Sequence, residues 1–367
     1  MNGDIILVIV IVTALAFDLT NGFHDTANVV ATAISTRAIA PKAAVAGASL
    51  LNFAGAFISL KVATTVGKGF VDTHAVTTTV VFAGLVGAIA WNIITWYFGL
   101  PSSSSHALIG GLVGSVAVAS GFRAVNGDGL LGNLIVPAIA APIIAFLTAG
   151  VAILVTYRIV GRLRPGPTNR GFRLGQLGSS SLLALSHGTN DAQKTMGVIT
   201  LALVAHGNIS ATAFHVPIWV VIASASAISI GTFSGGWRII RTLGTRIVKM
   251  DPAQGFAAQG AGAAVILAAS SVGYPLSTTH VISGGIMGAG AGKRLSAVRW
   301  GVAGNIVAGW VVTLPAAAIF GGLVYALSSL FGHSAIGPLI ISTVLLLALT
   351  AVFARRAQQS TPAPAPS

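Results

Sequence analysis

The chain has 367 residues, of which only 7% are charged, with a net charge of +13 and no cysteine. A soluble domain carries roughly 25% charged residues, so the composition excludes a soluble fold, and the lack of cysteine excludes disulfides and thiolate metal sites. The basic residues fall mostly in short stretches between apolar runs, which is the positive-inside pattern of a membrane protein and no sign of nucleic-acid binding.

Mean hydropathy is +0.88, and apolar runs of about 20 residues recur from end to end. The chain therefore reads as an all-α polytopic membrane protein. Met1–Asp4 lacks a basic region, so no cleaved signal peptide is expected. From Ile5 the chain is apolar as far as Thr36 except around Asp18 and the stretch Asn21–Asn28. That is too long for one straight span, so a helix broken near Gly22, or a span plus a half-helix, is expected. Ala43–Val62 and Thr77–Leu100 read as spans, the second with Trp91 and Trp96 placed like an interfacial belt, where Trp300 is placed too. Pro101 and Ser102–Ser105 then precede a Gly-rich apolar run; Pro followed by a capping hydroxyl marks a helix that starts inside the membrane. Leu130–Tyr157 is a span interrupted by Pro137 and Pro142.

The plan then repeats. Leu174–His206 is the second broken segment, and Phe214–Phe233 and Gly255–Gly273 are spans. Pro275 with Ser277–Thr279 echoes Pro101 with its Ser tract, and Trp300–Phe331 is a span. The division is residues 1–157 as a first repeat, 158–173 as a basic cytosolic linker and 174–331 as a second repeat. An extra transmembrane helix at 332–354 and a Pro/Ala-rich, disordered cytosolic tail at 355–367 follow. If each segment crosses once, the basic loops all fall on one side. That gives two inverted repeats of about five membrane segments, with broken or re-entrant helices, plus one extra C-terminal span. The N-terminus is then outside and the C-terminus cytosolic.

Two stretches organise the chain. Asn21–Asn28 aligns with His187–Lys194, so that Gly22 meets Gly188, Asp25 meets Asp191 and Asn28 meets Lys194. Ionisable groups deep in apolar sequence are costly and mark function. Asp25 and Asp191, with Asn28 and Asn190, form a candidate site for a coupling cation: carboxylate and amide oxygens suit a hard cation or a proton. A structural carboxylate capping a helix break is the plainer alternative. Thr26 and Thr189 lie close enough to join. Ser102, Ser103, Ser104 and Ser105, with Ser277, Thr278 and Thr279, open helices whose free N–H groups favour an anion. Lys194 either pairs with an Asp or attracts that anion. For His24, His106, His187 and His280 a proton relay, a bond to an oxyanion and a structural bond all stay open. No spacing points to a structural metal. His74, His206, His215 and His333 read as loop or span-end residues.

Gly22-Phe-His-Asp-Thr-Ala-Asn28 and Ser186-His-Gly-Thr-Asn-Asp-Ala-Gln-Lys194 resemble the duplicated signature of the inorganic phosphate transporter family, the low-affinity bacterial phosphate permeases. The resemblance covers nearly the whole chain. It implies phosphate uptake by symport with protons or sodium, no cofactor, and a homodimer in the lipid bilayer of the inner (plasma) membrane. It adds Thr26 and Gln193 to Lys194 and the hydroxyl tracts as phosphate-binding residues. Some members carry a neutral divalent-metal phosphate complex, and one branch carries sulfate. Of the other classes, a membrane phosphoesterase would need an orienting third group beside Ser105 and His106. An anion channel has no need for buried acids. The ammonium of Lys194 has donors only and cannot ligate sodium as Asn28 can, which favours proton over sodium coupling.

Overall fold

A computed structural model describes residues 2–332, 335–345 and 347. Among them the regular structure is helical: α1 Asn2–Ser35, α2 Pro41–Gly55, α3 Lys61–Lys68, α4 Thr78–Phe98 and α5 Ser104–Ser120 come first. Next are α6 Gly127–Val160, α7 Pro165–His206, α8 Ile218–Ser234 and α9 Trp237–Arg246. The series closes with α10 Pro252–Val272, α11 Thr278–Lys293, α12 Trp300–Ser329 and α13 Ile336–Leu345. The outer part of the extra C-terminal span, His333 and the 355–367 tail lie outside the described residues.

Five helices, α1, α4, α6, α10 and α12, are long and apolar enough to cross a membrane, and the α8–α9 pair, bent by 60°, makes a sixth. Long apolar helices thus supply only part of the crossings expected from sequence. Helices α2, α3, α5 and α11 are shorter, and α7 carries its polar motif in mid-helix.

Four expectations are corrected. Both motif segments are continuous helices, unbroken at Gly22 and Gly188. Those glycines serve close approach: a side chain at Gly22 would strike the α8 backbone at Ile228 and Thr232, and one at Gly188 the α2 backbone at Asn52. The break falls elsewhere, between α2 and α3, inside the single span expected at 43–62. The basic stretch 158–173 is a loop only over 161–164, since α6 runs to Val160 and Pro165 at the first helical position starts α7 there. Trp91 is not an interfacial anchor; it is part-buried, and its Nε1 donates to Thr313 of α12 at 3.0 Å.

The short helices α5 and α11 are seated in the same way. Gly110 and Gly114 of α5 bring it onto the backbone of α12 at Leu314 and Ala318, and Gly284 and Gly288 of α11 bring it onto α6 at Pro142 and Phe146. Small residues four apart let membrane helices approach to backbone contact. Single antiparallel bridges recur as well, Val71 with Val125 and Val248 with Val298. This packing pushes the first turns of α5 and α11 into the centre of the molecule. There they meet α1 and α7, whose motif stretches are buried on all sides.

Candidate functional site

The site is built where α1, α7 and the starts of α5 and α11 converge. Ser103 and Ser277 are the N-caps: each accepts from the backbone N–H three residues on, of His106 at 3.1 Å and His280 at 3.3 Å. Their hydroxyls are therefore committed to ending the helices. The two helix starts abut, with the His106 and His280 rings 4.7 Å apart, and Ser105 Oγ donates to the Leu276 carbonyl at 3.2 Å.

Lys194 lies between them, 1% exposed. Its ammonium donates to Ser105 Oγ at 2.5 Å, to the Leu276 carbonyl at 2.8 Å and to Asp191 Oδ1. All three ammonium protons are thus used. The other carboxylate oxygen, Asp191 Oδ2, accepts from Thr278 at 3.1 Å and lies 2.9 Å from His187 Nε2. His187 Nδ1 is held by Asn52 Oδ1 at 3.2 Å, and Asn52 donates to Thr232 at 2.8 Å.

Asp25 has a thinner set of partners. His24 Nδ1 is 2.7 Å away, and the Thr278 and Thr279 hydroxyls lie at 3.5 and 3.4 Å. The other ring nitrogen of His24 faces Thr95 at 3.1 Å and Ser102 at 3.4 Å. Asn28 donates to Thr279 at 2.9 Å, and its Oδ1 has no partner among the described residues. One ligand atom each from Asp25, His187 and Asp191 lies within 4.8 Å of the others. This carboxylate–imidazole–carboxylate set suits a small cation.

Several residues expected here are placed elsewhere. Thr26 donates to Gly22 O at 2.6 Å and to Thr232 O at 3.1 Å, so it joins α1 to α8. Gln193 accepts from Ala63 N at 3.2 Å and donates to Thr189 O, turned toward α3. Asn190 donates to Ser270 and to the Tyr274 carbonyl, toward α10. His280 stacks on Trp310 at 4.1 Å, and its Nδ1 faces the Ala138 carbonyl at 3.4 Å. Ser104, in the first turn of α5, has a hydroxyl with no partner among the described residues. Sequence reading missed Asn52, Thr95 and Thr232, which hold the two histidines and the α2–α8 joint; mid-span polar residues without a repeat gave the only signal. It also passed over Asp18.

Residues 21–321 match the model of the phosphate transporter family. The chain is 51% identical over 350 residues to a "Probable low-affinity inorganic phosphate transporter" of Mycobacterium bovis, covering 95% of this chain and 84% of that one. A protein of the same description from Bacillus subtilis is 44% identical over 323 residues, 88% and 96% of the two chains. A solved structure described as "The sodium-dependent phosphate transporter" superposes with a TM-score of 0.78 at 25% identity, covering 89% of this chain and 99% of that one.

Proposed function

This chain belongs to the phosphate transporter family, a family of transporters and not of enzymes, and we propose on that footing that it imports inorganic phosphate by symport with a cation, the proton ahead of sodium. The observation that carries the reading is the place of Lys194. A buried ammonium sits at the junction of two helix starts, where N–H groups and dipoles already favour an anion. Phosphate entering there takes donors from Ser104 and the first N–H groups of α5 and α11, and from Lys194, Ser105 and Thr278 as these exchange a present protein acceptor for the anion. Ser103 and Ser277 hold the helix starts in place.

Two inverted repeats with a site between them give alternating access by rocking one set of helices against the other. The matched seating of α5 on α12 and of α11 on α6 supports that reading. So does the doubled motif. The N-terminus is outside, the C-terminus in the cytosol, and the protein is a homodimer of the inner membrane. Since Lys194 already neutralises Asp191, Asp25 is the acid left for an exchangeable cation. The Asp25, His187 and Asp191 set would equally receive the metal of a neutral metal–phosphate complex, carried as cargo.

The test is uptake into proteoliposomes, with phosphate and sulfate compared, under an inward proton gradient without sodium and then under a sodium gradient at equal pH. Each pH unit can support about tenfold accumulation per coupled proton. The expected result is phosphate accumulation in the proton case. Accumulation with sodium alone would overturn proton coupling, and passive equilibration would overturn symport.

A further inference from the structure

One buried acid has no part in the phosphate cluster. Asp18 is fully buried. With Asn21, Asp25 and Asn28 it forms a stripe on one face of α1, at i, i+3, i+7 and i+10. Seven residues of helix separate it from Asp25, a rise of about 10 Å. The side chains interacting with it are Asn21 and, across from α7, Thr195. The charged groups within electrostatic reach are Asp191 and Lys194, also on α7. The other helices against this part of α1 bring no charge: α8 has no ionisable residue and α4 only Tyr97, near its end. Lys42 of α2 is at that helix's start.

Both carboxylate oxygens of Asp18, together with Asn21 Oδ1 and Thr195 Oγ1, lack a hydrogen-bond partner among the described residues. Buried oxygens in that state are costly, and a lone buried charge more so. The one ammonium nearby is fully engaged with Asp191, Ser105 and Leu276. A single proton settles all four atoms. The carboxyl O–H donates to Asn21 Oδ1, the Thr195 hydroxyl turns to donate to the other carboxyl oxygen, and the charge is gone.

We propose that Asp18, Asn21 and Thr195 form a proton-binding site, separate from the Asp25–Asp191 cluster, and that Asp18 carries a coupling proton of symport in addition to the cation exchanged at Asp25. This rests on the proton-symport reading. Thr195 follows Lys194 on α7, so a shift of α7 that moves Lys194 when phosphate binds or leaves also moves the hydroxyl beside Asp18 and with it the acid's hold on its proton.

The test uses the full chain reconstituted in liposomes. Infrared spectra in sodium-free buffer should show the carbonyl band of a protonated carboxyl. It should be absent in Asp18→Asn and moved to higher frequency in Thr195→Val, which loses the donor but keeps the acid. Asp18→Asn should retain phosphate exchange and lose accumulation under a proton gradient. A protonated-carboxyl band unchanged in both variants overturns the site. Loss of the wild-type band on adding sodium at constant pH assigns these oxygens to sodium and overturns it as well. Sodium-only accumulation in the wild type overturns the coupling role. If the wild type moves no phosphate at all, the transport reading falls, while the infrared spectra still decide whether Asp18 holds a proton.

Discussion

The two copies of the motif place matched carboxylates at the same centre and equip them differently. Asp191 has a lysine, a histidine and a threonine on its oxygens, and its histidine is braced by Asn52. Asp25 has one histidine and two hydroxyls at the limit of hydrogen-bonding distance. The position that gives Asp191 its lysine gives Asp25 only an amide, Asn28. A repeated helix thus yields one acid paired with an ammonium and one that has none beside it. On the proposed reading that division suits a carrier: a fixed cation for the anion and, in Asp25, an acid without a lysine for an exchangeable cation.

The largest effect should come from breaking the better-equipped copy. Lys194→Met leaves Asp191 buried without its counter-charge. Such a loss typically costs about 3–5 kcal/mol. Thermal unfolding in detergent should show it, and phosphate binding should vanish. The double variant with Asp191→Asn should recover much of the stability and none of the binding. Equal stability of the single and double variants would mean that the pair is not coupled.

The asymmetry itself is sharpened by comparing the two acids. Asp25→Asn and Asp191→Asn should both abolish accumulation. Only Asp191→Asn should also be destabilised, again by about 3 kcal/mol, because it strands the buried ammonium. Matching unfolding temperatures would remove the distinction between the copies. Next come the helix starts. Ser104→Ala and Thr278→Val each remove a donor to a charged oxygen and should weaken phosphate binding by about 1.5–3 kcal/mol, with the fold intact. Ser104 has no partner within the described protein, so its loss should appear in affinity and hardly in stability; unchanged affinity in both would remove phosphate from this position. Thr26→Val should do the reverse. It gives up a helix-to-helix bond worth about 1 kcal/mol and leaves affinity unchanged.

The smallest effect lies at the edge. Burial raises the pKa of Asp251, but bonds from Tyr157, Gln254 and Lys293 outweigh it and leave the carboxyl below its ordinary value. A depressed folded-state pKa gives stability that is present above the unfolded value of about 3.9 and lost as pH falls through the folded one. Asp251→Asn should therefore flatten the acid limb of unfolding, measured by melting temperature below pH 4. An unchanged acid limb would show that these bonds add nothing to folding.

The motif positions were legible because lipid makes polar residues conspicuous. Asp25, Asp191, Lys194 and both hydroxyl tracts do meet at one place. The continuity of the motif helices was not legible, since a glycine within a polar stretch reads alike whether it ends a helix or admits a neighbour's backbone. Thr26 and Gln193 show a further limit. Each sits inside a motif, yet its polar atoms are taken by backbone groups of α8, α3 or its own helix, and nothing local says so.

From sequence alone the membrane class, the doubled motif and the two helix starts followed, because hydropathy, spacing and capping act over a few residues. The tertiary structure decided which buried polar atoms are satisfied. His24 answers to Thr95, Asp25 to Thr278, and Asn52 to both His187 and Thr232. Those pairings join chain segments far apart in sequence. In a medium with no water to make up the difference, such partners determine whether a polar group is structural, binds a ligand or, like the Asp18 oxygens among the described residues, still lacks a hydrogen bond.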